Sequence, residues 1–315
     1  MSALICGSIA FDTIMVYSGQ FKNEILPDQV HMLNVSFLVP DMRREFGGCA
    51  GNIAYSLALL GGQGQAMATV GKDFDDYGDW MAEHGISRDY IKVIDDAYTA
   101  QAYITTDLDD NQITAFHPGA MNHAHEQSVP SDAGITLGVV SPDGKEGMVA
   151  HAQQFADAGI DFMFDPGQGL PMFNGDELKT IIGQASYLAL NDYESQLVRD
   201  RTGMSEADIA AELKALIITK GGNGSIIYAD GQTHEIPVGS PAALADPTGC
   251  GDAFRAGLIY GMQQGCDWPT IGRIASLMGT IKIERPGTQN HSFTLEDFKT
   301  RLADEFGAEY AQALG

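Results

Sequence analysis

The sequence predicts a three-layer α/β/α fold, with a mostly parallel β-sheet between helices and a second, small β-sheet outside it. Short apolar runs alternate with helical spacers, which is typical of parallel sheets covered by helices; the runs lie at 135–140, 160–164, 186–190, 215–219 and 225–228. Two β-rich stretches, about 13–46 (with a β-rich piece at 30–39) and 98–120, do not fit this alternation. We therefore assign them to the small sheet, inserted as a lid into a single domain spanning 1–315.

The first half of the chain contributes a strand, a helix and a hairpin. Ala3–Cys6 is an apolar run that turn-forming residues end, which indicates a buried strand. A glycine-rich loop, Gly47–Gly51, precedes a helical stretch from Asn52 to Leu60, and two glycines end that helix. Residues 98–117 form two β-segments around a polar turn, which predicts a hairpin.

Composition and charge narrow the choice of partners. The chain of 315 residues is 44% hydrophobic, which is enough for a sizeable core. Its formal net charge is -24, with 42 acidic residues against 18 basic ones. A negative field repels phosphate backbones and anionic lipids, so we expect neither a nucleic acid nor a membrane as partner. A nucleotide remains compatible with this charge, because Mg²⁺ and backbone N–H groups create a local anion site.

The cysteines predict the compartment. Cys6, Cys49, Cys250 and Cys266 are scattered and form no C-x-x-C pair. We therefore expect no disulfide framework, no zinc site and a cytoplasmic location. A monomer and a homodimer are both compatible with the sequence.

The stretch D-P-T-G-C-G-D from Asp246 to Asp252 places a glycine turn directly before an apolar helical run. Free N–H groups at such a helix start bind anions, so we predict a cradle for a transferring phosphoryl group at Gly249, Cys250, Gly251 and Asp252. The Asp252 carboxylate can accept a proton from a substrate hydroxyl. Taken alone, the stretch fits an ordinary capped helix start equally well. Arg255 fits either a phosphate contact or a solvated surface arginine.

Candidate substrate contacts lie near the N-terminus. Gly47 and Gly48 allow a ligand to approach the backbone closely, and Asn52 either contacts substrate hydroxyls or caps its helix. Asp12 follows the first strand, at the edge where α/β sheets bind ligands. A carboxylate there can clamp a diol through two hydrogen bonds.

Candidate cofactor contacts follow two later strands. Asn191 and Glu194, three residues apart at a strand end, can organise Mg²⁺ and phosphate or simply form a capping box. The segment T-K-G-G-N-G-S from Thr219, with Gly221 and Gly224, can line a nucleotide or form a plain hairpin turn. The sequence contains neither a P-loop nor a dinucleotide-binding glycine fingerprint.

Together these stretches resemble the ribokinase-like (PfkB) carbohydrate and nucleoside kinases. The loop G47-G-C-A-G-N52 and the stretch D246-P-T-G-C-G-D252 are similar to the two diagnostic stretches of that family. N191-D-Y-E194 and T219-K-G lie between them in the expected order, so the resemblance covers essentially the whole chain. It implies an α/β/α fold with a β lid, Mg-ATP as donor and a sugar hydroxyl as acceptor.

The resemblance also implies a role for each candidate residue. Asp252 looks like the base, and the N–H groups from Gly249 to Asp252 look like the anion hole. The implied contacts to ATP and Mg²⁺ are Asn191, Glu194 (through water), Thr219, Gly221 and Gly224, and the implied contacts to the acceptor are Asp12, Gly47, Gly48 and Asn52. The segment R285-P-G-T-Q289 falls where the family lines the adenine pocket or a monovalent-cation site. Gln289 is therefore a candidate cofactor contact, and a cation such as K⁺ a candidate cofactor.

A finer resemblance is to the bacterial adenosine-kinase-like nucleoside kinases, carried by residues 26–40, 44–52 and 109–121. It implies phosphorylation of a purine nucleoside such as adenosine at its 5′-hydroxyl, with Gln29 and Phe116 near the base, although Phe116 also fits plain lid core. The alternative is a sugar kinase of the ribokinase or fructokinase type. Cys250 stands where most members carry alanine, and a thiol at a helix N-terminus is expected to have a lowered pKa.

Overall fold

The computed structural model describes residues 2–25, 34–109, 111–130 and 134–314. In chain order its strands are β1 (Ser2–Cys6), β2 (Ala10–Val16), β3 (Asp41–Gly47), β4 (Gly64–Gly71), β5 (Ile91–Ile94), β6 (Ala100–Thr106), β7 (Gln112–His117), β8 (Ile135–Val140), β9 (Phe162–Phe164), β10 (Tyr187–Asn191), β11 (Ala215–Thr219), β12 (Ser225–Ala229) and β13 (Gln232–Ile236).

Helices connect most of these strands. They are α1 (Phe21–Glu24), α2 (Cys49–Leu59), α3 (Asp75–Glu83), α4 (Lys145–Asp157), α5 (Gly175–Gln184), α6 (Asp192–Thr202), α7 (Glu206–Ala211), α8 (Cys250–Gln263), α9 (Trp268–Ile283), α10 (Leu295–Phe306) and α11 (Ala308–Gln312). Short 3₁₀ segments add Gly119–Glu126, Gly167–Met172 and Gly221–Asn223. In the described ranges, no helix combines the length and apolarity needed to cross a membrane.

Nine strands form the large sheet, in the order β13-β12-β11-β10-β9-β8-β1-β4-β5. Neighbours from β11 through β5 pair in parallel, whereas β12 and β13 add an antiparallel end. The five apolar runs named above coincide with β8 to β12, which confirms the predicted, mostly parallel sheet. Its parallel strands end at one common edge, where ligands bind in such folds.

The two faces of the large sheet contribute to two separate hydrophobic clusters. In β1, Ala3 and Ile5 pack in the cluster that contains residues of α2, α8, α9 and α10. Leu4 and Cys6 point to the opposite face, into the cluster with residues of α4 to α7. A strand that is buried on both faces needs apolar residues at successive positions, which is why the first strand could be recognised from a continuous run. The three-layer arrangement is therefore confirmed.

The small sheet has the strand order β3-β2-β6-β7, with β2 and β6 parallel and the outer pairs antiparallel. Its strands overlap the two stretches assigned to it, although β2 begins earlier, at Ala10, and β6 and β7 form the predicted hairpin. The prediction of β-structure at 30–39 was wrong for residues 34–39, which form no strand. Residues 30–33 lie outside the described residues, as do 26–29. The strand of that region is β3.

Candidate active site

The amino end of α8 carries the predicted anion cradle. Gly249 is the residue before the helix and has φ +80°, a left-handed conformation that favours glycine. In the described part of the chain, the N–H groups of Gly249, Gly251 and Asp252 make no hydrogen bond. The N–H of Cys250 donates to the carbonyl of Pro247 at 3.2 Å, so this amide differs from the prediction. Three N–H groups and the positive end of α8 remain for an anion.

The Asp252 carboxylate lies in the first turn of the same helix. Its Oδ2 accepts a hydrogen bond from Asn52 Nδ2 at 2.8 Å. Burial raises the pKa of Asp252 to about 6; the hydrogen bond from Asn52 opposes the rise and the charge of Asp165 adds to it. A carboxylate of this pKa is ionised at neutral pH and is basic enough to receive a proton.

Asn52 is held by a buried chain of hydrogen bonds. Its Oδ1 accepts from Gln289 Nε2 at 3.0 Å, and Gln289 Oε1 accepts from Trp80 Nε1 at 2.9 Å. Gln289 Nε2 also donates to the Tyr77 hydroxyl at 2.6 Å, which donates to the carbonyl of Gly47 at 2.8 Å. Asn52 therefore does not cap its helix, which begins at Cys49. The Gln289 side chain is buried and bonds three side chains of this chain of hydrogen bonds, and its role as a cofactor contact stays a prediction.

Gly47 and Gly48 lie where a side chain has no room. A Cβ at Gly47 would lie 2.7 Å from Asp12 Oδ2. Gly48 has φ +86°, and a Cβ there would lie 2.6 Å from both the Ala10 nitrogen and the Ser8 carbonyl oxygen. Gly48 therefore packs directly against the main chain that follows β1. The carboxylate of Asp12 lies against Gly47.

Asp12 lies in β2 of the small sheet, and its predicted position just after the first strand was wrong. Only residues 7–9 separate β1 from β2, so Asp12 lies six residues beyond the end of β1 and inside the next strand. Burial raises the pKa of Asp12 to about 6, and the charges of Glu45 and Asp246 add to the rise.

Phe116 lies on the same face of the small sheet as Asp12. Asp12 pairs with Ala102 on β6, and Ala102 pairs with Phe116 on β7. Residues in register on neighbouring strands point to one side, and two strand spacings put Phe116 about 10 Å from Asp12. The ring is 52% exposed, so it is not lid core. Gln29, the other predicted base contact, lies outside the described residues.

Asn191 and Glu194 form a complete capping box at the start of α6. Asn191 Oδ1 accepts from the Glu194 N–H at 2.7 Å, and Glu194 Oε2 accepts from the Asn191 N–H at 2.8 Å. One polar atom of each side chain, Asn191 Nδ2 and Glu194 Oε1, makes no hydrogen bond to any described residue. Burial raises the pKa of Glu194. The pair is thus a helix cap that also leaves a donor and an acceptor open.

Thr219 lies next to Asn191, because the two residues pair across β10 and β11. Gly221 follows in the exposed 3₁₀ segment Gly221–Asn223, which joins β11 to β12 as the expected hairpin. Gly224 packs inward, since a Cβ there would lie 2.1 Å from the Ile236 carbonyl oxygen. Thr219 and Gly221 are therefore grouped with Asn191 at the edge of the large sheet, whereas Gly224 shapes the turn.

A buried ion pair escaped the sequence predictions. Arg255, one turn beyond Asp252, donates from Nη2 to Asp165 Oδ1 at 2.9 Å, and both side chains are buried. The solvated surface position for Arg255 was therefore wrong. Asp165 directly follows β9, and its charge raises the pKa values of Asp252 and Glu194. An arginine inside the apolar run A253-F-R-A-G257 was the available signal, because a buried arginine needs a partner.

The expectation of a lowered pKa for the Cys250 thiol was wrong. Burial raises its pKa to about 11, and the nearby charge of Lys282 only partly opposes this. The thiol is thus less reactive than an exposed cysteine at neutral pH.

Comparison with known proteins places this site in a family. The model of the pfkB family of carbohydrate kinases matches residues 10–295. The nucleoside kinase of Burkholderia thailandensis in complex with inosine is 52% identical, with a TM-score of 0.88 over 97% of this chain and 98% of its own. Its complex with ADP-inosine is 54% identical, with a TM-score of 0.86 over 97% of this chain and 96% of its own. A nucleoside kinase of Methanocaldococcus jannaschii is 30% identical over 271 residues, which are 85% of this chain and 89% of that protein. The chain therefore belongs to the pfkB family of carbohydrate kinases.

Proposed function

We propose that this protein is a nucleoside kinase that transfers the γ-phosphoryl group of ATP to the 5′-hydroxyl of a purine nucleoside such as adenosine or inosine. The observation that carries the proposal is the position of Asp252. Its carboxylate lies beside free N–H groups at the amino end of α8 and is hydrogen-bonded by Asn52 of the glycine-loop helix. A base and an anion cradle in one helical turn are what phosphoryl transfer to a hydroxyl requires.

The acceptor assignment rests on Asp12, Asn52 and Phe116. The two polar side chains hold the ribose hydroxyls, and the exposed ring of Phe116 contacts the base from the same face of the small sheet. The 52% identical kinase that was solved with inosine supports a purine nucleoside over a free sugar. The small sheet then acts as a lid over the acceptor and excludes water during transfer.

In the proposed reaction Asp252 accepts the proton of the 5′-hydroxyl while the 5′-oxygen of the nucleoside forms a bond to the γ-phosphorus. The bond from that phosphorus to the bridging oxygen breaks, and ADP leaves. The N–H groups of Gly249, Gly251 and Asp252 stabilise the negative charge on the transferring group. Burial of Asp252 in this site makes its carboxylate a stronger base than an exposed one.

The donor side is formed by Asn191, Glu194, Thr219 and Gly221. Mg²⁺ bound with a nucleotide would be held mainly by phosphate oxygens and water. The open Glu194 Oε1 and Asn191 Nδ2 would hold the hydrated ion and a phosphate oxygen. Bound Mg²⁺ supplies charge neutralisation on the phosphates.

The first test removes the base. In Asp252→Asn we expect kcat to fall by roughly 10²- to 10⁴-fold, because the amide cannot accept the proton. ATP affinity should stay near that of the wild type, and isothermal titration checks this. Asp304→Asn, an exposed position on α10, is the matched control and should keep full activity. Turnover retained by Asp252→Asn would exclude Asp252 as the base.

The second test identifies the acceptor. ADP release with Mg-ATP is measured with adenosine, inosine, guanosine, cytidine, ribose and fructose at equal concentrations. We expect kcat/KM to be highest for a purine nucleoside. Activity on ribose or fructose without activity on nucleosides would favour a sugar kinase instead.

A further inference from the structure

Lys282, in the last turn of α9, has a side chain that is 0% exposed. Lysine is rarely buried without partners that satisfy its ammonium group. Here Nζ donates to two main-chain carbonyl oxygens, that of Asp246 at 2.9 Å and that of Arg285 at 3.2 Å. Burial lowers the pKa of Lys282, while the charges of Asp246 and Asp252 oppose the change. The ammonium group therefore lies at a point where two main-chain carbonyl dipoles converge.

The two carbonyls belong to the two loops that complete the site. Asp246 opens the loop that ends in the anion cradle, and the Asp246 carboxylate accepts hydrogen bonds from the N–H groups of Thr248 and Gly287, both at 2.9 Å. Arg285 opens the loop that carries Gln289, which orients Asn52. Lys282 thus connects the loop of the base to the loop that positions the hydrogen-bond donor of the base.

Convergent carbonyl oxygens are the ligands that K⁺ takes in proteins, and without a cation they repel each other. A lysine ammonium group supplies the same positive charge, and because it is covalently attached, no ion has to be bound from solution. We propose that Lys282 is a positioning residue that serves as a built-in monovalent cation. It holds the loop from Asp246 to Gly249 in the shape that presents the anion cradle, and it makes added K⁺ unnecessary. This inference rests on the proposed phosphoryl transfer.

The experiment compares wild type, Lys282→Ala and Lys282→Met in a buffer whose only added salt is tetramethylammonium chloride. KCl, NH₄Cl or methylammonium chloride then replaces that salt at constant ionic strength. We expect the kcat of the wild type to be the same in all four salts. Lys282→Ala should lose at least about tenfold in kcat, because the loop from Asp246 to Gly249 would shift and the anion cradle would be misplaced. Small cations should restore much of that loss, since they fit the space left beside the two carbonyls. Lys282→Met, which fills the space with an uncharged chain, should lose activity without rescue.

Binding provides a readout that is independent of turnover. The increase in melting temperature caused by ADP should shrink in Lys282→Ala and recover with KCl, even if no tested nucleoside is phosphorylated. A failure of the proposed function therefore leaves this test intact. Lys179→Ala, an exposed lysine on α5, is the matched control and should behave as wild type. Activation of the wild type by K⁺, or full activity of Lys282→Ala without small cations, overturns the proposal. So does a loss in Lys282→Ala that no small cation repairs. If Lys282→Ala does not fold, Lys282→Met and the salt response of the wild type decide.

Discussion

Asp252 and Asp12 both have pKa values raised to about 6 by burial. Both carboxylates must be ionised in the proposed reaction, one to receive a proton and the other to accept two hydrogen bonds from the ribose. Activity should therefore fall as the pH drops below about 6, and the slope of log(kcat/KM) should exceed one where both groups titrate. The pH dependence of initial rates at saturating ATP checks this, and constant activity down to pH values near 4 would contradict it.

The hydrogen bond from Asn52 lowers the pKa of Asp252 against the effect of burial. Without it the pKa rises, so Asn52→Ala should move the acid limb of kcat to higher pH. Ser56→Ala is the matched control, because this buried hydroxyl lies on the same helix but contacts His291 Nε2 at 3.2 Å. Its midpoint should equal that of the wild type. An unchanged midpoint in Asn52→Ala would show that the hydrogen bond does not tune the base.

The Arg255–Asp165 pair gives a stability prediction. Arg255→Met leaves a buried carboxylate without its partner, which should lower the free energy of unfolding by about 3–5 kcal/mol. The further change Asp165→Leu should recover part of this loss. Lys214→Met, which breaks an exposed pair with Asp161, is the control and should lose at most about 1 kcal/mol. Urea unfolding of the four proteins measures these differences, and equal losses for both single variants would contradict the prediction.

Local sequence indicated Asp252, because a glycine turn and a helix start are adjacent in the chain. It could not indicate the pairing of Asp165 with Arg255 or of Gln289 with Asn52, since these residues are distant in sequence and meet only after folding. The prediction of a lowered pKa for Cys250 was wrong for a related reason. The sequence indicates the helix start, which lowers a thiol pKa, but not the burial, which raises this pKa by more.

At the scale of the element, Gly48 fixes how α2 begins. A methyl group there would meet main-chain atoms of Ser8 and Ala10 in an already left-handed conformation. Gly48→Ala should therefore lower the free energy of unfolding by about 3 kcal/mol or more. Gly61, just beyond the other end of α2, also has positive φ (+75°) but has nothing within 4 Å of a Cβ. Gly61→Ala should lose only about 1–2 kcal/mol, and similar melting temperatures for both variants would refute the steric explanation.

The strands of the large sheet were predictable because burial on both faces produces uninterrupted apolar runs. The small sheet was predictable only as a region. Three of its β7 side chains, Ile113, Ala115 and Phe116, are apolar yet exposed, so the usual alternation is weak there. The strand that carries Asp12 begins at Ala10, before the stretch from about residue 13 that was assigned to the small sheet.

At the scale of the whole molecule, Asp143 should make a contribution to stability that decreases toward high pH. Burial raises the pKa of Asp143 from 3.8 to about 8, so the folded protein holds a proton that the unfolded chain has released. The contribution of Asp143 to the free energy of unfolding should thus fall between pH 3.8 and about 8, by up to about 1.4 kcal/mol per pH unit, and then level off. In Asp143→Asn this slope should become shallower, whereas the exposed control Asp304→Asn should keep it. Denaturant titrations across the range measure the slope, and parallel curves for Asp143→Asn and wild type would contradict the assignment.

The small sheet joins the large one through four chain segments, near residues 8, 47, 98 and 118. Two are held by hydrogen bonds to the rest of the domain, the Ser8 N–H to the Pro142 carbonyl at 3.0 Å and the Tyr77 hydroxyl to the Gly47 carbonyl at 2.8 Å. The other two are joined to each other by the Ala120 N–H to the Tyr98 carbonyl at 2.8 Å. A sheet that is attached through four chain segments cannot rotate as a rigid body about a single hinge. We expect it to rock and twist through small angles, so that nucleosides enter through its open sides, and a disulfide across one corner would slow the cycle without blocking entry.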